Sequence, residues 1–173
     1  MEILMIKKRL KKGFKLLPAS IGLLIAASTA QGATTTQNMT VTATVAASCT
    51  FALTTLAFGS YTLAQLDGTS TITLTCTNGT PYEIALGAGN SPSATTINRR
   101  MTGPVVSTVA QYLGYGLYTD VNRTSNWGAT TATDVSGTGT GAAVPITVYG
   151  RIPPGQPSAI GSYTDTIVVT VSY

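Results

Sequence analysis

The last residues of the chain restrict its fold more than any other segment. Ile167, Val169, Val171 and Tyr173 alternate with Val168, Thr170 and Ser172. An apolar row repeating every second residue lines one face of a strand and cannot line one face of a helix. The pattern recurs upstream. Met39, Val41, Ala43 and Val45 alternate with threonines, and Ile72, Leu74 and Cys76 alternate within residues 69–76. Residues 82–86, 112–119 and 144–151 read the same way, with Leu113, Tyr115 and Leu117 opposite Tyr112, Gly114, Gly116 and Tyr118. No stretch sustains a helical period. Residues branched at Cβ suit a pleated surface. The segments 88–96 and 128–143, and Pro153-Pro154-Gly155-Gln156-Pro157, are turn-rich separators. Pro145 marks an edge or the start of its strand. Short strands at this spacing predict one all-β domain, a sandwich of immunoglobulin-like build.

The first thirty residues belong to a different argument. Lys7, Lys8, Arg9, Lys11, Lys12 and Lys15 precede an apolar run over 16–27 and then small residues. That order describes a secretory signal peptide. Cleavage is placed after Ala30, with Gly32 and Ala33 as alternatives. The apolar run is too short to cross a bilayer and contains Pro18. The chain as a whole carries ten basic and six acidic residues, net +4. Beyond residue 30 four arginines (99, 100, 123, 151) face five acids (Asp67, Glu83, Asp120, Asp134, Asp165), which is net −1. A mature chain without lysine has no basic stripe to follow phosphates, so nucleic acid is excluded as a partner. Export places Cys49 and Cys76 in an oxidising compartment, where one disulfide is the expected state. Closing that loop is worth roughly 3 kcal/mol in the chain-entropy account.

Catalysis finds few parts. The chain contains no histidine, which removes the commonest general base and metal ligand. The serines then lack an activator, and the five acids are scattered and read as solvated loop charges. No catalytic residue, metal site or cofactor is expected, and the protein is read as a non-enzyme. Arg99-Arg100 reads as a solvated loop pair. Trp127, Tyr61 and Tyr112 read as core or loop anchors, with a sugar-binding platform as the rival.

Specific blocks lie near the C-terminus: residues 144–153 (VPITVYGRIP), Gly155-Gln156, and residues 161–173 (GSYTDTIVVTVSY). Cys49 soon after the mature start, Phe58-Gly59, Cys76 closing a strand and residues 117–120 (LYTD) accompany them. Together these resemble the spore coat protein U domain family, which includes the major subunits of archaic chaperone–usher pili. The resemblance implies an incomplete immunoglobulin-like β-sandwich completed by donor-strand exchange. A periplasmic chaperone fills the groove of such a subunit first. At the outer-membrane usher, the N-terminal extension of the next copy replaces it, which is strand addition at a sheet edge.

On this reading residues 1–30 are the signal peptide, 31–48 an N-terminal extension and 49–173 the immunoglobulin-like domain. The donor strand presents Met39, Val41, Ala43 and Val45. The acceptor groove and chaperone-binding edge presents Ile167, Val169, Val171 and Tyr173. The implied function is a pilus subunit, secreted through the periplasm to the cell surface and supporting attachment or biofilm formation. Its only membrane contact is through the signal peptide. A non-filamentous spore-coat or surface protein of the same fold, or a carbohydrate-binding adhesin, are the alternatives. Within the residues themselves, segment 39–45 can also run on as the first strand of its own sheet. Only Ala46-Ala47-Ser48 separate it from Cys49, and three residues at about 3.3 Å each reach poorly across a sandwich. Burying four such side chains contributes on the order of 5–8 kcal/mol before entropy. A whole domain is stable by about 5–15 kcal/mol, so folding and polymerisation are expected to be coupled.

Overall fold

The computed structural model describes residues 31–173; the signal-peptide reading of 1–30 lies outside the described residues. Eight strands follow in order: β1 (Cys49–Leu53), β2 (Leu66–Cys76), β3 (Pro81–Leu86), β4 (Arg99–Val106), β5 (Val109–Tyr118), β6 (Val135–Thr138), β7 (Ala143–Ile152) and β8 (Val169–Ser172). They form a five-stranded sheet, β1-β2-β7-β5-β4, and a three-stranded sheet, β6-β3-β8. Every strand pairing is antiparallel, and no helix occurs among the described residues. The alternation produces this directly. Ile72, Leu74 and Cys76 of β2, Leu113, Tyr115 and Leu117 of β5, and Val148 and Ile152 of β7 are buried against Ile84 and Leu86 of β3. Trp127 completes the core, its indole N–H donating to the Ile84 carbonyl at 2.8 Å. Gly150 leaves room for the segment after β1: a Cβ there would stand 2.8 Å from both Leu56 Cδ1 and Phe58 Cζ.

Several local expectations need correction. Arg99 is not a solvated loop residue. It opens β4 and is 1% exposed, and Arg100 stacks its guanidinium 4.4 Å from the centre of the Tyr112 ring. Residues 39–45 make no strand pairing, and the first strand among the described residues is β1. Of residues 163–173 only β8 pairs as a strand. Strands β1, β4 and β6 gave weak signals for identifiable reasons. β1 is short, β4 is broken by Gly103-Pro104 with a register shift between Thr102 and Val105, and β6 has a single large apolar residue inside a turn-rich stretch. Pro145 sits in β7, an inner strand, yet causes no conflict. β5 pairs with β7 only over Tyr149–Arg151, so the half holding Pro145 is an edge on that side.

Candidate functional site: an open groove between two edge strands

β1 and β8 are both edge strands. Residues opposite one another across a pair share a face of the sheet. Phe51 and Leu53 lie opposite Leu74 and Ile72, so they point inward. Leu74 and Ile72 are each 1% exposed, whereas Phe51 is 43% and Leu53 52% exposed. On the other sheet Val169 and Val171 lie opposite the buried Leu86 and Ile84, yet are themselves only half-buried. Two inward-facing apolar edges therefore lack cover, and between them lies a cavity of about 1120 Å³. Its floor is core: Ile72, Leu86, Leu113, Tyr115, Val148 and Ile152. One rim runs over residues 53–61, the other over 158–167 and Val169.

The main chain of the first rim is as unpartnered as its side chains, whereas on the second rim Thr164 is bonded to Thr102 of β4. After Thr54, whose N–H donates to the Thr71 carbonyl at 3.0 Å, residues 55–60 make no backbone hydrogen bond among the described residues. β8 pairs on one side only. A long apolar trough flanked by free backbone donors and acceptors suits an extended peptide, which supplies both a ladder and alternating side chains. Its volume also exceeds the roughly 300–1,000 Å³ of ordinary small-molecule pockets.

Polar anchors hold the rims in place. Tyr61 donates its hydroxyl to the Pro153 carbonyl at 3.0 Å and accepts the Gln156 N–H at 2.9 Å. The Gln156 side chain then pairs with Gly114 of β5 as a strand would, accepting its N–H at 2.7 Å and donating to its carbonyl at 2.9 Å. On the second rim Asp165 accepts the Tyr115 hydroxyl at 2.7 Å and the N–H groups of Asn90 and Thr166 at 2.8 Å. Burial, and then the bond to Asp165, push the Tyr115 hydroxyl far above its usual pKa. Arg99 fastens the two sheets behind this rim. Its guanidinium donates to the carbonyls of Gly87 (2.8 Å), Thr96 (2.6 Å), Leu86 (2.8 Å) and Trp127 (2.7 Å). Burial lowers its pKa, but a guanidinium stays protonated in any medium the protein meets.

The residues singled out from sequence distribute as follows. Cys49 and Cys76 are joined in a disulfide that staples β1 to β2. Ile167 and Val169 line the cavity; Val171 continues their face, and Tyr173, 61% exposed, lies outside the lining. Met39, Val41 and Val45 are exposed and unpaired. Trp127 is fully buried and is a core anchor. Among the described residues no cluster of three or more His, Cys, Asp or Glu could hold a metal. Sequence reasoning overlooked Phe51, Leu53, Gln156, Asp165 and Arg99. A lone acid in an alternating apolar run was a signal for Asp165; nothing in the sequence marked Arg99.

Comparison with known proteins agrees with the all-β fold. The Spore Coat Protein U domain model matches residues 35–170. "Protein U" of Myxococcus xanthus is 36% identical over 165 residues, covering 87% of this chain and 91% of that protein. Among solved structures, the crystal structure of the CsuC–CsuE chaperone–tip adhesion subunit pre-assembly complex, from archaic chaperone–usher Csu pili of Acinetobacter baumannii, contains a chain of similar fold. The TM-score is 0.53 at 23% identity, over 75% of this chain and 41% of that one. This chain thus spans about two fifths of the solved chain it matches. The family match runs from ahead of β1 into β8, across both rims of the groove, and the chain belongs to the spore coat protein U domain family.

Proposed function

We propose that this protein is a structural subunit of a chaperone–usher pilus. It is exported to the periplasm, held there by a chaperone strand in the open groove, and passed at the outer-membrane usher to a neighbouring copy. The neighbour's extension, with Met39, Val41, Ala43 and Val45 facing the floor, then takes the chaperone's place. The assembled filament serves surface attachment or biofilm formation. One observation carries the reading: the inward faces of β1 and β8 are uncovered over a trough of about 1120 Å³, with free main chain along residues 55–60 and on the unpaired side of β8. The extension is a fitting occupant, because its large apolar residues stand 84–85% exposed at period-two spacing. Their removal from water is worth about 1.5–3 kcal/mol each, and each new backbone bond adds roughly 0.5–1.5 kcal/mol.

The test is a denaturing gel of native surface material, run with and without boiling. Strand-exchanged polymers give a ladder that collapses to monomer only on heating. Deleting residues 31–45 should abolish the ladder and leave a subunit recoverable only with its chaperone. A heat-stable monomer from that deletion would refute the proposal. The likeness to "Protein U" over 91% of its length favours one second reading, a coat protein of the same fold; a single unboiled monomer band from intact cells would support it.

A further inference from the structure

The hairpin joining β4 and β5 takes no part in lining the groove, which Met101 and Leu113 reach but residues 103–111 do not. Arg151 of β7 is level with Gly116 of β5 on one side and with Asp67 of β2 on the other. From that level β5 runs seven residues to Val109, and β2 runs nine residues the opposite way to Cys76. At about 3.3 Å per residue the hairpin tip and the disulfide are roughly 50 Å apart, at opposite poles. At the tip, Val106 pairs with Val109, on the inward face that Leu113 carries into the core. Leu113 is buried, but Val109 is 60% exposed because the opposite sheet does not extend that far. The turn between them is strained: Ser107 and Thr108 have φ of 45° and 72°. Asparagine or glycine is the ordinary occupant of such a turn. A β-branched residue in the left-handed region costs about 1–3 kcal/mol and points to a functional constraint.

The length of the linker says what meets this tip, given the donor-strand reading on which the inference rests. All strand pairings in the sandwich are antiparallel, and a donor strand antiparallel to β8 has its C-terminal end on the side where Thr164 precedes β8. There Thr164 and Thr102 exchange backbone bonds at 2.9 and 3.0 Å. Thr102 is level with Tyr112, three residues short of Val109. Three residues, Ala46-Ala47-Ser48, also separate the donor segment from its own Cys49. The first span is three steps, about 10 Å, and the second is four steps from Val45 to Cys49, about 13 Å, so with Val45 level with Thr164 the donor's disulfide pole arrives within about one residue's rise of the acceptor's valine tip. The reverse direction would crowd two disulfide poles together, one of which must release its own extension. We infer that the Val106–Val109 tip of each accepting subunit docks on the disulfide pole of the copy that donates to it, in the hollow walled by Ser48, Thr50, Thr75 and Thr77, which Val45 also walls until it is donated. Knob and hollow at opposite poles of one chain make a head-to-tail contact that propagates as an open filament.

Cross-linking tests the contact in the assembled polymer. Asn78 lines the same hollow. A V109C/N78C double variant, secreted and oxidised, should give a ladder that survives boiling and collapses with thiol, while each single variant should not. A normal heat-labile ladder without that bond overturns the contact and leaves the proposed function standing. Absence of any ladder from the unsubstituted protein overturns both. A second measurement needs no substitution: amide exchange over residues 105–109 should slow at least tenfold from chaperone-bound subunit to polymer. Unchanged exchange there refutes the inference even if the double variant folds poorly.

Discussion

Replacing Arg99 by methionine tests the idea that the sheets are joined by a single buried cation. The guanidinium donates to four carbonyls at 2.6–2.8 Å, drawn from the end of β3, the loop before β4 and the Trp127 segment. Methionine matches much of the apolar stem but donates nothing. Bonds to a charged group are worth about 1.5–3 kcal/mol each, but returning the guanidinium to water on unfolding recovers several kcal/mol of solvation. The firmer figure is the penalty left behind. The Leu86, Gly87 and Trp127 carbonyls would lose a partner inside the protein, at about 1 kcal/mol or more apiece. R99M should therefore lose about 3 kcal/mol or more, a large part of the 5–15 kcal/mol of an ordinary domain. R99K, whose ammonium reaches fewer of these carbonyls, should fall between. Trp127, the only tryptophan in the chain and fully buried, reports unfolding in urea by its fluorescence. The three proteins should be compared in the same purified form. A methionine variant within 0.5 kcal/mol of the parent, or one no worse than the lysine variant, would show that the clamp does not hold the sheets.

Other changes probe the rims. Gly150→Ala puts a methyl 2.8 Å from Leu56 and Phe58; the resulting overpacking should cost about 1–3 kcal/mol and speed proteolysis of residues 54–61. Tyr115→Phe removes the hydroxyl donated to Asp165. It should cost roughly 1.5–3 kcal/mol and raise amide exchange at Asn90 and Thr166, with Trp127 emission unchanged. Arg151, by donating to Asp67 at 2.7 and 2.9 Å, holds that carboxyl below its ordinary pKa of 3.8, with Arg123 adding to the effect and burial opposing it. A depressed acid stabilises the fold above its unfolded pKa, and that stability is lost as pH falls through the folded value. Asp67→Asn should lower the unfolding midpoint at pH 7 by an amount worth at most about 1 kcal/mol, because the pair is partly exposed. The two proteins should converge only as pH falls below 3.8 and through the lower value of the folded state.

The central strands were legible from sequence because each buries a single face. β2, β3, β5 and β7 carry clean alternation, and every inward residue named from it in β2 and β5 is buried. β1, β4 and β6 were illegible because a Gly-Pro break, a short length or a polar turn composition hides the period that pairing later imposes. The same limit explains Arg99. A run of two arginines looks solvated, and only the approach of two carbonyl-bearing segments, Leu86-Gly87 and Trp127, from 12 to 28 residues away makes burial tolerable. Asp165 shows a different limit: its acid was visible, but its partners Tyr115 and Asn90 lie 50 and 75 residues distant.

Composition and period two settled on their own that this chain is an all-β protein, since the spacing of apolar residues fixes which face each side chain takes. That one edge of the sandwich stands open was decided by tertiary structure alone. Phe51 and Leu53 are apolar in either case; they stay half-exposed because the opposite sheet ends at β8 without a strand to lie over them. Cover of that kind belongs to the packing of whole sheets, and no local pattern of residues encodes it.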